Sequence, residues 1–186
     1  RFNDHVTGKS LLPADLRASV YRIVACNGDS STHGQLMKLF QDNELHEEKD
    51  RVSRAMGMCK DKGVLKDVLA FAIGDGVRAQ DTPFVIASVA NNPKGRDLAW
   101  DFVKANYKLL HDRYKSGMLM SRLCQRTTQH FNTLDKATEV ENFFNTHPNP
   151  AERSIRQSIE SIRLNAGWLE RDWRSIENYL IQYLAR

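Results

Sequence analysis

The run His46-Glu47-Glu48-Lys49-Asp50 comes nearest to a catalytic motif in this chain. The pattern H-E-x-x-H on a helix sets two imidazoles on one face to hold zinc while the glutamate activates water. Here Asp50 stands where the second histidine belongs, and Leu69 occupies the place, nineteen residues on, where a third ligand of gluzincin type would be a glutamate. No glutamate occurs from Lys49 to Thr138. The segment therefore reads as the charged first turns of a helix, and no catalytic, metal or cofactor-binding residue is assigned in this chain.

Gly74-Asp75-Gly76-Val77-Arg78-Ala79 imitates a dinucleotide fingerprint, with Asp97 about where a ribose-binding acid would fall. That fingerprint needs a strand before it and a helix opening within it. The preceding residues have helical spacing, so the glycines read as a helix stop. No G-x-S-x-G elbow occurs, and His111, His130 and the other histidines are scattered singly. Cys26, Cys59 and Cys124 lie far apart among apolar neighbours without metal spacing, which predicts reduced thiols and a reducing compartment.

These residues must be carried by helices. Leu16, Val20, Ile23 and Val24 predict an apolar helix face between Leu12 and Gly28. Ser31 or Thr32 is expected to cap the next helix, with Leu36, Leu39 and Phe40 inward, and a third starts near Glu44 with Val52, Ala55, Met56 and Cys59 inside. A helix from Asp61 carries Val64, Leu65, Val68, Leu69, Ala72 and Ile73; another opens at Asp81 or Thr82. Asn91-Asn92-Pro93-Lys94-Gly95 reads as a turn that fixes the next helix, in which Trp100 fills a groove. That helix is expected to run from Arg96 to Gly117.

Further helices are expected over Met118 to His130 and Leu134 to Thr146, the second with Val140, Phe143 and Phe144 inward. The strongest start signal follows: Asn149 as cap, Pro150 in the first position and Glu152 three residues after the cap. Ile155, Ile159, Ile162 and Ala166 form its inner stripe, and a separate final helix beyond Asp172 carries Ile176, Tyr179, Leu180 and Tyr183. About ten helices with short polar turns and no alternating strand predict an all-α fold. Pairs of roughly 35 to 40 residues approach the HEAT or armadillo period, so the expectation is a HEAT/armadillo-like stack of antiparallel helix pairs, an α-α superhelix, forming one domain over residues 1–186.

Of the 186 residues, 41% are hydrophobic and 27% charged, spread along the length, as in a globular protein. No apolar stretch approaches membrane-spanning length and no signal-peptide core opens the chain, so a soluble compartment and no membrane partner are expected. The net charge of +4 has no interleaved basic and aromatic run with it, which predicts no specific nucleic-acid partner. The chain starts without methionine and in mid-pattern, which suggests part of a longer polypeptide.

Val77-Arg78-Ala79-Gln80-Asp81 followed by Asn92-Pro93-Lys94-Gly95-Arg96-Asp97-Leu98-Ala99-Trp100 resembles the C-terminal domain of gluzincin aminopeptidases. Arg1-Phe2, Asp4-His5, Ala14-Asp15-Leu16-Arg17, Glu47-Glu48-Lys49, Phe143-Phe144 with His147-Pro148, Ala151-Glu152-Arg153, and Leu164-Asn165-Ala166 with Trp168-Leu169 extend the resemblance, in order, over essentially the whole chain. The resemblance implies a cytosolic zinc exopeptidase that removes N-terminal residues from peptides. Its zinc and its amine-gripping G-x-M-E-N segment belong to an upstream catalytic domain, so this part alone is not an enzyme. Its partners are that catalytic domain, within the same polypeptide, and peptide substrates.

The family's C-terminal domain is a bowl of helix pairs that encloses the substrate cavity and limits substrate size. Some relatives hold the peptide's C-terminal carboxylate with basic residues, one of which corresponds to Met58 here. Arg51, Arg54 and Lys60 are the neighbours chemically able to substitute; a solvated charged face accounts for the same three residues. A helical-repeat scaffold that binds a protein partner, with no enzymatic role, is the alternative reading.

Overall fold

A computed structural model describes residues 1–114, 118–147 and 149–185. Eleven α-helices and no strand occur among them: α1 Phe2–Val6, α2 Ala14–Asn27, α3 Ser30–Asp42, α4 His46–Met56, α5 Lys62–Ile73, α6 Thr82–Asn91, α7 Arg96–Ala105, α8 Tyr107–Tyr114, α9 Met118–Thr128, α10 Leu134–Thr146 and α11 Glu152–Leu184. The fold is all-α and built from packed helix pairs, as the periodicity requires. The described residues divide into two compact units, Arg1–Tyr114 and the residues after Tyr114.

In the first unit α2, α4 and α6 pack in succession, and α3, α5 and α7 pack against them. Phe40 of α3 meets Phe71 of α5 edge to face at 4.9 Å. Side-chain caps set several starts: Asp29 accepts the Thr32 amide at 3.0 Å and Asp61 the Val64 amide at 3.0 Å. Asp29, rather than Ser31 or Thr32, therefore caps α3. Helix α4 opens at His46, two residues later than the sequence suggests, with Glu47 and Glu48 in its first turn, where carboxylates suit the helix dipole.

The expected inner face of α2 is corrected. Tyr21 and Ala25 are its buried residues, whereas Leu16 and Ile23 are exposed and Val20 and Val24 half-buried. Spacing finds an apolar stripe; it cannot find which face a neighbour covers. The helix expected from Arg96 is interrupted at Asn106, whose side chain donates to the Phe102 carbonyl at 2.9 Å and draws a backbone acceptor into a local turn. The expected stop at Gly117 lies outside the described residues.

In the second unit α11 packs on both α9 and α10. Met120, Leu123 and Cys124 of α9, Ala137 and Val140 of α10, and Ile155, Ile159 and Ile162 of α11 are its buried residues. Two expectations change here. Asn149 accepts the Ala151 amide at 2.7 Å in a turn, and the helix proper begins at Glu152; Pro148, part of the same approach, lies outside the described residues. The supposed final helix is the continuation of α11, because no proline interrupts 152 to 184 and Asp172 pairs with Arg171. Tyr179, Leu180 and Tyr183, assigned by sequence to that separate helix, are exposed.

Candidate functional site

Helix α4 carries the zinc-like run His46 to Asp50 and the basic candidates Arg51 and Arg54, and it lies between α2 and α6. Glu48 is only 1% exposed. Its Oε1 accepts the Tyr21 hydroxyl at 2.5 Å; its Oε2 accepts Arg51 at 2.8 Å and Arg17 at 3.3 Å. His5 Nδ1 accepts the Leu12 amide at 3.2 Å, so its proton sits on Nε2 and is donated to the Tyr21 oxygen at 2.7 Å. The order of donation is His5 to Tyr21 to Glu48.

Burial alone would raise the Glu48 carboxyl; hydrogen bonds from Tyr21, Arg51 and Arg17 together bring it below its ordinary value. Burial, then the hydrogen bond to and charge of Glu48, drive the Tyr21 hydroxyl well above the usual tyrosine range. Burial and then the Arg17 charge lower His5 against the opposing pull of Glu48. Both carboxylate oxygens are already occupied by donors. The cluster clamps α1, α2 and α4 together and has no spare base for catalysis.

The three basic candidates have different partners. Arg51 bonds Glu47 and Glu48 on the α2 side. Arg54 pairs with Asp50 at 2.9 Å and lies over the Phe84 ring of α6 at 5.5 Å. Lys60 Nζ reaches the Asn27 side chain at 3.4 Å. Met58 is half-buried nearby in sequence. A cleft beside α4, lined by His46, Lys49, Asp50, Arg78 and Asp81 among others, has a volume of about 50 Å³, space for a water or two and not for a peptide side chain.

The zinc near-motif has no matching donor set here. Asp50 is engaged by Arg54, and Leu69 is core. Among the described residues no group of three or more His, Cys, Asp or Glu is placed to hold a metal. Zinc of the gluzincin kind does not fit these side chains. Gly74 to Ala79 is the loop between α5 and α6, with a helix rather than a strand before it. Cys26, Cys59 and Cys124 are free thiols. Burial pushes the Cys124 thiol up to about 12, which removes it as a nucleophile.

The turn from Asn91 to Gly95 is a second clamp. Buried Asn92 donates to the carbonyls of Gly57 at 3.0 Å and Cys59 at 2.6 Å, and accepts the Lys94 amide at 3.0 Å. A Cβ at Gly95 would lie 2.6 Å from the Val89 carbonyl oxygen, so only glycine lets the turn approach α6. Trp100 is fully buried behind it. Sequence reasoning found this turn and missed the His5, Tyr21, Arg17 and Glu48 cluster, whose members are too far apart along the chain to give a local signal.

Helix pairs clamped by buried polar residues define an all-α, helical-repeat domain. The chain belongs to the ERAP1-like C-terminal domain family, whose profile matches residues 1–164, and it is a C-terminal domain of the M1 aminopeptidase kind. Aminopeptidase M1 of Arabidopsis thaliana is 33% identical over 164 residues, covering 86% of this chain and 18% of the relative. Aminopeptidase N of Bos taurus is 26% identical over 186 residues, 96% of this chain and 19% of the relative. The thyrotropin-releasing hormone-degrading ectoenzyme of Rattus norvegicus is 28% identical over 186 residues, 97% of this chain and 17% of the relative. The chain thus spans about a fifth or less of the curated relatives it matches.

Proposed function

We propose that this chain forms and closes the substrate cavity of a cytoplasmic zinc aminopeptidase that removes N-terminal residues from peptides, and limits substrate size without taking part in bond cleavage. The observation that carries the reading is the family match along residues 1–164 in a chain that is only a fifth or less of its aminopeptidase relatives. The lack of a fitting zinc donor set on α4 agrees with a division of labour in which zinc and its chemistry belong to a catalytic domain of the same polypeptide. Three free thiols favour a reducing compartment. Arg51, Arg54 and Lys60 are the candidate grips for a peptide C-terminal carboxylate; Arg54, 56% exposed at its side chain, would exchange Asp50 for the ligand, and exposed Lys60 would exchange the Asn27 side chain.

The isolated chain is expected to release no amino acid from aminoacyl substrates, with or without added zinc, and to capture the catalytic portion of its own polypeptide in trans. Zinc-dependent turnover by the pure chain would sink the reading. A scaffold role toward an unrelated protein is favoured by the exposed apolar residues of α2 and α11. Capture of such a partner with no affinity for the catalytic portion would decide for it.

A further inference from the structure

Asn27 closes α2 and Gly28 follows it; no other asparagine of the chain has glycine as its next residue. Such a pair can react with itself, because a glycine nitrogen has no adjacent Cβ to screen it from the asparagine carboxamide. Packing holds the glycine in place: a Cβ at Gly28 would lie 2.4 Å from the Thr32 hydroxyl oxygen. The Gly28 N–H donates to no acceptor among the described residues. No helical hydrogen bond therefore has to break before its nitrogen attacks. Asn27 is exposed, so water reaches the same carbon.

The carboxamide is held at both of its polar atoms. Nδ2 donates to the Ile23 carbonyl at 2.9 Å, and Oδ1 accepts Lys60 Nζ at 3.4 Å. The ammonium thus stands at the oxygen on which negative charge grows when a nucleophile adds to Cγ, where a positive donor lowers the barrier. An asparagine without such a neighbour has only water at that oxygen.

We propose that Asn27 is a self-modification site: it deamidates through Gly28 with Lys60 polarising its carbonyl, and the aspartate product then captures Lys60 in an ion pair. The Gly28 nitrogen forms a bond to Asn27 Cγ and gives up its proton; the Cγ–Nδ2 bond breaks, and Nδ2 takes up a proton and leaves as ammonia. Water opens the resulting cyclic imide at Cγ to give aspartate, or at the backbone carbonyl to give isoaspartate. Nothing is oxidised or reduced, and water is the sole co-reactant. Aspartate keeps the length of asparagine, so its carboxylate takes the place of Oδ1 beside Lys60 Nζ as a charge-assisted partner. Lys60 is one of the candidate grips for a peptide carboxylate, and only the meaning of its capture rests on the function proposed above.

Prolonged incubation of the full-length polypeptide in mildly alkaline buffer, followed by mass mapping of tryptic peptide 23–38, tests the proposal, since Asn27 is the only asparagine in that peptide. A gain of about 1 Da at Asn27, ahead of every other asparagine of the chain, is expected. An unmodified Asn27 after other asparagines have converted overturns the site. Lys60→Gln is expected to slow the gain roughly threefold, the effect of an exposed charge of ordinary strength; an equal rate overturns the part given to Lys60. Asn27→Asp supplies the product at once. Acylation of Lys60 by an amine-reactive ester, read in the same map, is then expected to be roughly threefold slower than in the parent, and equal labelling overturns the capture. None of these readouts uses a peptide substrate. Aminoacyl hydrolysis by the parent is measured separately, so failure of the aminopeptidase reading is distinguishable from failure of the modification site.

Discussion

Glu48 shows how a single residue changes meaning between sequence and structure. In sequence it is a charged residue in the first turn of a helix; in the fold its carboxylate is buried and receives three donors. Replacing Tyr21 with Phe removes one donor and is expected to cost about 1 kcal/mol in chemical denaturation. Glu48→Ala is expected to cost about 3 kcal/mol, the low end for breaking a buried pair, because both guanidiniums still reach water. A Glu48→Ala variant as stable as the parent would show that the cluster is not a clamp. The same cluster sets a pH dependence. His5 and Glu48 are both lowered on folding, so the unfolded chain binds more protons and stability rises with pH. The His5 contribution is fully present above its ordinary value and is lost as pH falls through its lower folded value; the Glu48 contribution follows at more acid pH. Denaturation between about pH 8 and about pH 5 should show this loss, and His5→Gln should flatten it.

At the scale of elements, the turn between α6 and α7 was legible and its partners were not. Asn-Asn-Pro-Lys-Gly announces a turn, but nothing local tells that Asn92 reaches the carbonyls closing α4. Asn92→Ala leaves those buried acceptors without their donor and is expected to cost about 2 kcal/mol. Gly95→Ala forces a Cβ against the Val89 carbonyl and is expected to cost about 1–3 kcal/mol. Thermal unfolding of both variants checks the ordering against Gly34→Ala, where an added Cβ meets nothing within 4 Å. Helix α10 spans the residues its pattern predicts, since Thr133 caps it. Helix α11 does not, since a change in covering, rather than a break in the backbone, separates its two halves.

For the whole molecule, charge and size matter more than any one contact. Many of the cations that give the net +4 are paired with carboxylates on their own helices, as Arg54 is with Asp50 and Lys108 with Asp112. Retention on immobilised DNA is therefore expected to be weak, indifferent to sequence and lost by about 0.2 M salt. Sequence-selective retention at that salt would reopen a nucleic-acid role. No helix among the described residues is long and apolar enough to cross a membrane.

Periodicity and turn chemistry determined that this chain is all-helical and where most of its helices start and stop, because both depend on neighbours within one or two turns. An ordered series of short motifs determined its family. Tertiary structure alone decided which apolar faces are covered: Tyr21 rather than Leu16 on α2, and Ile155 to Ala166 rather than Trp173 to Tyr183 on α11. It also decided that a would-be metal motif became a structural clamp. Burial, and the hydrogen bonds that compensate for it, are set by elements far apart in sequence, and no local spacing encodes which of two apolar faces a distant helix will reach.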